Sequence, residues 1–172
     1  SIKTYAQAIR DVLAEEMQAD PRVFVMGEDV AVLGGIFGCT RGLLEEFGPE
    51  RVINTPISEM SFTGAAIGAA LAGLRPVVEI MFMDFITLAM DPLVNWAAKL
   101  RFVYDRTCPL VVRTPAGGGR GYGPTHSQSL TAWFLHVPGL WVAVPSSAAD
   151  AAGLLRTAIR GDHPVLFIEH KR

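Results

Sequence analysis

Cysteine is scarce. The chain has two in 172 residues, Cys39 and Cys108, far apart and outside any CxxC spacing. This excludes a disulfide scaffold and a cysteine-ligated zinc site, and makes reduced, buried thiols in a reducing compartment the expectation. Runs of lysine or arginine are missing and the net charge is −2, so the electrostatic footprint of a nucleic-acid binder is absent and no such partner is expected. Apolar stretches are broken by Gly, Pro or a charge well before the roughly 20 residues that a membrane span needs. Nothing at the start reads as a signal peptide, so no membrane partner is expected either. Repeats and low-complexity linkers are lacking. The run Gly117-Gly118-Gly119-Arg120-Gly121 comes with neither a Walker lysine nor a GxGxxG context, which excludes a P-loop.

What is present is apolar material in quantity, 50% of all residues. A chain of roughly 150 residues buries about 70% of its unfolded surface, so residues 1–172 are read as one domain with a real core. The start at Ser1 and the stop at Arg172, directly after a strand-like segment, read as edges of a longer protein. Thr4 and Gln7 form a capping-box signature, and Tyr5, Ala8, Ile9, Val12, Leu13 and Met17 recur at helical spacing until Asp20-Pro21 closes the segment. Short apolar runs follow at Val23 to Met26, Val52 to Ile53, Pro76 to Phe82, Pro109 to Arg113, Leu140 to Val144 and Val165 to Ile168, with helical stretches between most of them. That alternation predicts an α/β fold: three layers, doubly wound, around a mostly parallel sheet. The longest loop is expected between Thr114 and Ser127.

Ligands of open α/β sheets gather at the carboxyl ends of strands, which directs attention to four places. Gly27-Glu28-Asp29 follows the first strand, Pro56 to Glu59 the second, Met83 to Phe85 the third, and the glycine loop with His126 the fourth. Glu59 enters a Gly- and Ala-rich helix, where an unpartnered charge costs several kcal/mol by order of magnitude. Its ordinary reading is a helix N-terminal acid, favoured by the macrodipole by about 0.3 to 1 kcal/mol. Glu28 reads equally as a turn cap, and Phe85 as a core aromatic beside Phe82. His126 sits in a Gly-rich loop beside Ser127, Gln128 and Ser129, a poor place for a core residue, and imidazole suits proton transfer near neutrality. On the helix from Ser61 to Gly73, Gly64, Ala65, Gly68, Ala69 and Ala72 permit close approach, either of the chain's own sheet or of another subunit.

Seven ordered blocks carry a family likeness: MGEDV at 26–30, GGIFGCTRGL at 34–43, FGPERVINTPISE at 47–59, MDF at 83–85, LVNWAAKLRF at 93–102, HSQS at 126–129 and VPGLWVAVPS at 137–146. Together they resemble the amino-terminal half of the beta subunit of thiamine-diphosphate-dependent 2-oxo acid dehydrogenases, the pyruvate, branched-chain 2-oxo acid and acetoin group. The likeness spans essentially the whole chain. It implies the transketolase-like pyrimidine-binding domain, with a carboxyl-terminal transketolase-like domain that family members carry and this chain lacks.

The resemblance implies a set of roles. Glu59 would hydrogen-bond the pyrimidine nitrogen of thiamine diphosphate, Phe85 would pack on that ring, and Ile57 and Met81 would line its pocket. Glu28 would join Glu59 in an acidic chain toward a second active site. His126 would handle protons as the acyl fragment passes to a lipoyl group on the acyltransferase of the complex. Main-chain oxygens of Leu110, Ala158, Ile159, Gly161 and His163 align with a potassium site, although the RGDH stretch departs from the family's acidic-then-Asn pattern. Pro92 stands where the family usually has Gln and is expected to bend the helix that begins near Phe85. The magnesium-diphosphate motif belongs to the alpha subunit, so the implied partners are that subunit, a second beta subunit and a 2-oxo acid substrate, and the domain alone is expected to be inactive. A bacterial cytoplasm or a mitochondrial matrix follows. The alternatives are an acetoin dehydrogenase beta subunit, or a deoxyxylulose-phosphate synthase or transketolase-like domain.

Overall fold

The structure is a computed structural model that describes residues 3–171. Ser1 and Arg172, on which the reading of the chain's ends turns, lie outside the described residues. Helix α1 (Tyr5–Ala19) opens on the expected capping box: the Thr4 hydroxyl accepts from the Gln7 amide and the Gln7 side chain accepts from the Thr4 amide. Strand β1 (Val23–Gly27), helix α2 (Leu43–Phe47), strand β2 (Val52–Asn54), helix α3 (Glu59–Leu71) and strand β3 (Arg75–Glu79) follow. After β3 come 3₁₀ turns over Met83–Ala89, a π-helical stretch over Pro92–Ala97 and helix α4 (Leu100–Tyr104). The regular helix expected to start near Phe85 is thus broken up, with Pro92 at the head of its π-helical part. Strand β4 (Val111–Ala116), helix α5 (Thr131–Leu135), strand β5 (Trp141–Ala143), helix α6 (Ala148–Arg160) and strand β6 (Val165–His170) complete the chain.

All strand pairs are parallel, in the order β2-β1-β3-β4-β6-β5. Alternation along each strand divides the core in two. Phe24, Met26, Val78, Val112, Leu166 and Ile168 face α3 and the Met83–Ala97 segment. Val23, Val25, Val77, Val111, Val165 and Phe167 face α1 and α6. Those two helices are tied by buried Glu16, which takes both Arg160 donors at 2.9 Å. Cys39 and Cys108 are buried and unpaired. No helix among the described residues is long and apolar enough to cross a membrane.

The chain leaves β1 toward β2 and returns to β3 on the other side of β1, so the strand order reverses between β1 and β3. In open α/β sheets ligands gather above the carboxyl ends of the strands at such a reversal. Two strands differ from expectation there. β4 runs on through Thr114-Pro115-Ala116 into the expected loop, and β6 extends to His170.

Candidate active site

Gly27 pairs with Glu79 across β1 and β3, and a Cβ on Gly27 would lie 2.4 Å from the Glu79 carbonyl oxygen. The close approach sets Glu28 beside the segment that leaves β3. Glu28 and Glu59, the first residue of α3, are both buried, and they face each other. Burial, followed by the charge of Glu59, raises the Glu28 carboxyl above its ordinary value, with the Ser58 main chain opposing. One oxygen of Glu28, Oε1, is buried without a hydrogen-bond partner. The partner that Glu59 lacked in the sequence is therefore a second acid, and the pair still offers an unsatisfied acceptor, an arrangement suited to a ligand that donates hydrogen bonds.

A ring cluster lies at the same end of the sheet as the acids. Phe82 meets Phe37, Phe85, Tyr122 and His126 edge-on, and His126 also meets Phe85, with 5.1 Å between centroids in both of its contacts. The imidazole Nδ1 is 3.0 Å from the Thr125 hydroxyl. Met81 is half-buried at the exit of β3, whereas Ile57 is 84% exposed on the approach to α3. The fold thus brings Glu28, Glu59, Met81, Phe85 and His126 to one end of the sheet and leaves Ile57 with its side chain in the open.

Sequence reasoning missed a charged line beneath the site. Arg113, inside β4 and 1% exposed, donates to Glu79 Oε2 at 2.8 Å and to Glu169 Oε1 at 2.6 Å. Burial opposes the Arg113 charge, yet Glu169 and Glu79 hold the guanidinium protonated, while burial raises Glu169. Asp84 was missed as well: its Oδ1 accepts from the Gln128 amide and side chain at 3.1 and 2.9 Å, and its Oδ2 is buried without a partner. A charge embedded in an apolar strand pattern was the signal available for Arg113, and for Asp84 it was a place in the Met83 to Phe85 stretch that follows the third strand.

Four of the five carbonyls offered to potassium already accept hydrogen bonds. Arg75 Nη1 donates to Ile159 O at 2.9 Å and to Gly161 O at 2.8 Å, and its other arm meets Asp162 Oδ1 at 2.7 Å. Leu110 O accepts from the Val165 amide at 2.8 Å and Ala158 O from the Gly161 amide at 3.3 Å. The His163 ring stacks on Trp141, centroids 5.1 Å apart. A guanidinium already supplies positive charge there, so the donor set as arranged does not fit a bound monovalent cation. Among the described residues no cluster of three or more His, Cys, Asp or Glu could hold a metal.

A six-stranded parallel sheet with buried acids and aromatic rings past the carboxyl ends of its strands defines an α/β domain with a candidate ligand site, and its family is shown directly. Residues 2–172 match the transketolase, pyrimidine binding domain family, to which the chain belongs. Within it the chain is similar to the 2-oxoisovalerate dehydrogenase subunit beta of Bacillus subtilis, 49% identical over 174 residues, covering 100% of this chain and 53% of that protein. It is similar also to the pyruvate dehydrogenase E1 component subunit beta of Rickettsia felis, 51% identical over 170 residues, covering 98% of this chain and 52% of that one. A mitochondrial pyruvate dehydrogenase subunit beta-1 of Arabidopsis thaliana is 49% identical, with 98% and 47% covered. The chain therefore spans about half the length of these relatives. A split-gene transketolase, an inactive β4 tetramer, shares the fold with a TM-score of 0.78 over 97% of this chain and 50% of that one, at 21% identity. The names of the relatives agree with the 2-oxo acid dehydrogenase resemblance and do not favour the synthase or transketolase alternative.

Proposed function

We propose that this chain is the pyrimidine-binding part of the decarboxylating component of a 2-oxo acid dehydrogenase complex, holding thiamine diphosphate for oxidative decarboxylation of a 2-oxo acid and acyl transfer to lipoamide. The observation that carries the reading is the buried Glu28–Glu59 pair, with its unsatisfied oxygen, at the same end of the sheet as the Phe82, Phe85 and His126 rings. These residues fit an aminopyrimidine, a flat heterocycle that both donates and accepts hydrogen bonds. When bound, thiamine diphosphate supplies a nucleophilic thiazolium carbon and an electron sink for the carbon left by carbon dioxide.

Glu59 would hold a proton at the far ring nitrogen of the pyrimidine, favouring a basic exocyclic nitrogen, and Glu28 would extend the acid pair toward a second active site. Phe85 packs on the ring, and Met81 and Ile57 close its edges. Exposed Ile57 points to a pocket completed by another chain. His126 supplies the proton that one lipoyl sulfur takes as the disulfide opens and the other sulfur receives the acyl group.

The diphosphate and its magnesium require groups this chain does not offer, so an alpha subunit is the proposed holder and the domain alone is proposed to be inactive. A second beta subunit and the lipoyl-bearing acyltransferase complete the proposed assembly. Potassium is left out of the proposal, because Arg75 takes up two of the five carbonyls concerned, those of Ile159 and Gly161. A bacterial cytoplasm or mitochondrial matrix agrees with two unpaired thiols.

The test is Glu59→Gln in the full-length beta subunit assembled with its alpha subunit, assayed with pyruvate, 2-oxoisovalerate and acetoin. A loss of about 10²- to 10⁴-fold in kcat with a 2-oxo acid is expected, the usual worth of a positioned acid. Unchanged turnover, or activity confined to acetoin, overturns the proposal.

A further inference from the structure

The loop that carries His126 is rich in glycine, with Gly117, Gly118, Gly119, Gly121 and Gly123 ahead of the histidine. Such a segment loses much conformational freedom when it is ordered, so an imidazole on it keeps one orientation only if the loop is fastened. The fastening converges on a residue that neither the motifs nor the reaction singled out.

Lys171 follows directly on β6 and is 3% exposed. Its Nζ donates to the main-chain oxygen of His126. The same ammonium lies 4.6 Å from the centroid of Phe82 and 5.9 Å from that of Tyr122, so two rings of the cluster seat the cation. The Lys171 carbonyl accepts from Arg120 Nε at 2.8 Å, and that guanidinium stacks over Phe37 at 5.6 Å, which fastens the loop at a second point. Asp84 fastens it at a third, through Gln128. Burial pulls the Lys171 ammonium down, and the charge of Asp84 opposes this. The end of β6 is itself pinned, because Glu169, two residues earlier, is held through Arg113 to Glu79 on β3. One continuous polar line therefore runs from the strand that launches Phe82 and Phe85 to the backbone of His126.

We propose that Lys171 is a positioning residue for His126: its buried ammonium, seated on Phe82 and Tyr122, grips the His126 carbonyl and sets the imidazole where acyl transfer to the lipoyl group needs it. This deepens the reading of the site given above and rests on it. Lys171 touches no reacting atom. Its removal therefore disturbs the step that uses His126 and spares those that use Glu59.

The experiment uses the assembled full-length enzyme and two half-reactions: decarboxylation followed with dichlorophenolindophenol as electron acceptor, and acylation of a lipoyl domain. For Lys171→Met, kcat for lipoyl acylation is expected to fall about 10- to 100-fold, the scale of a misplacement near 1 Å. The KM for the lipoyl domain, the dye-coupled rate and thiamine diphosphate affinity should stay near wild type, and Lys171→Arg should restore most of the acylation rate. Hydrogen exchange at Thr125 to Ser129 should quicken in Lys171→Met alone. If that variant fails to assemble, Tyr122→Leu, which removes one wall of the seat, is expected to show the same selective loss. Equal losses in both half-reactions, or no loss in either, overturn the proposal. His126→Ala separates the two levels: if it leaves acylation intact the histidine reading fails and this proposal with it, whereas a deficit in His126→Ala with none in Lys171→Met sinks the lysine alone.

Discussion

Glu28, buried against a second carboxyl group, carries a thermodynamic cost in the folded protein. Glu28 is raised by burial and by the charge of Glu59. A carboxyl whose folded value lies above its unfolded one holds a proton in the native state that the unfolded chain has already released. Stability is therefore greatest below the unfolded value and declines as pH rises from there through the folded value. Replacing the acid by its amide removes that decline. For Glu28→Gln the melting temperature should match wild type near pH 4 and exceed it at pH 8, by about 2–4 °C if the penalty is near 1 kcal/mol. Parallel pH profiles for the two proteins would show that Glu28 is not the strained member of the pair. Cysteine gives a second outcome at this scale. Burial pushes both the Cys39 and Cys108 thiols up to about 12. Neither should react with a disulfide reagent at pH 8 until the protein unfolds, and labelling of the native chain checks this.

Among the elements, β3 and α6 meet through an arginine. Arg75 opens β3 and reaches the carbonyls of Ile159 and Gly161 where α6 ends, so a guanidinium neutralises the partial negative charge of a helix carboxyl terminus. Arg75→Met should cost about 1.5–3 kcal/mol, the worth of hydrogen bonds to a charged group, read as a lower urea midpoint. The wild-type melting temperature should be the same when potassium chloride is exchanged for choline chloride at equal ionic strength. A marked rise in potassium would show that the carbonyls serve a metal ion after all. The same elements show what the sequence made legible. Local signals sufficed for α1, where Thr4 and Gln7 are three residues apart, and for the short apolar strands. In the sequence Arg113 looks like the exit of β4 to solvent, although the strand runs on to Ala116; its partners Glu79 and Glu169 stand 34 and 56 residues away in the chain, beyond any local pattern. The two acids are legible residue by residue, but local pattern does not bring them together; only the family resemblance does, since their meeting depends on the order β2-β1-β3.

For the whole molecule, helix α3 joins the site to the outside. Glu59 starts it, Phe62, Ala66 and Ala70 bury one side against the core, and the other side forms the wall of a groove of about 790 Å³ with Trp96 and Tyr104 opposite. Nothing lies within 4 Å of where a Cβ would stand on Gly64 or Gly68. Space over small residues flanked by exposed Met60, Leu71, Trp96 and Tyr104 is what a second helix would need to come close, and it favours a subunit contact over packing on the chain's own sheet. Glycine within a helix costs about 1 kcal/mol relative to alanine, so a larger residue at either position should leave the unassembled chain as stable as before or more so. Gly64→Leu and Gly68→Leu should therefore keep or raise the melting temperature of the isolated subunit, yet raise the dissociation constant for assembly with the alpha subunit, read by sedimentation equilibrium, by at least about tenfold, the response to a loss near 1.4 kcal/mol. An assembled enzyme of wild-type stoichiometry and activity carrying both leucines would move the interface elsewhere, and with it the explanation of why the acid that starts α3 is buried beside an open groove.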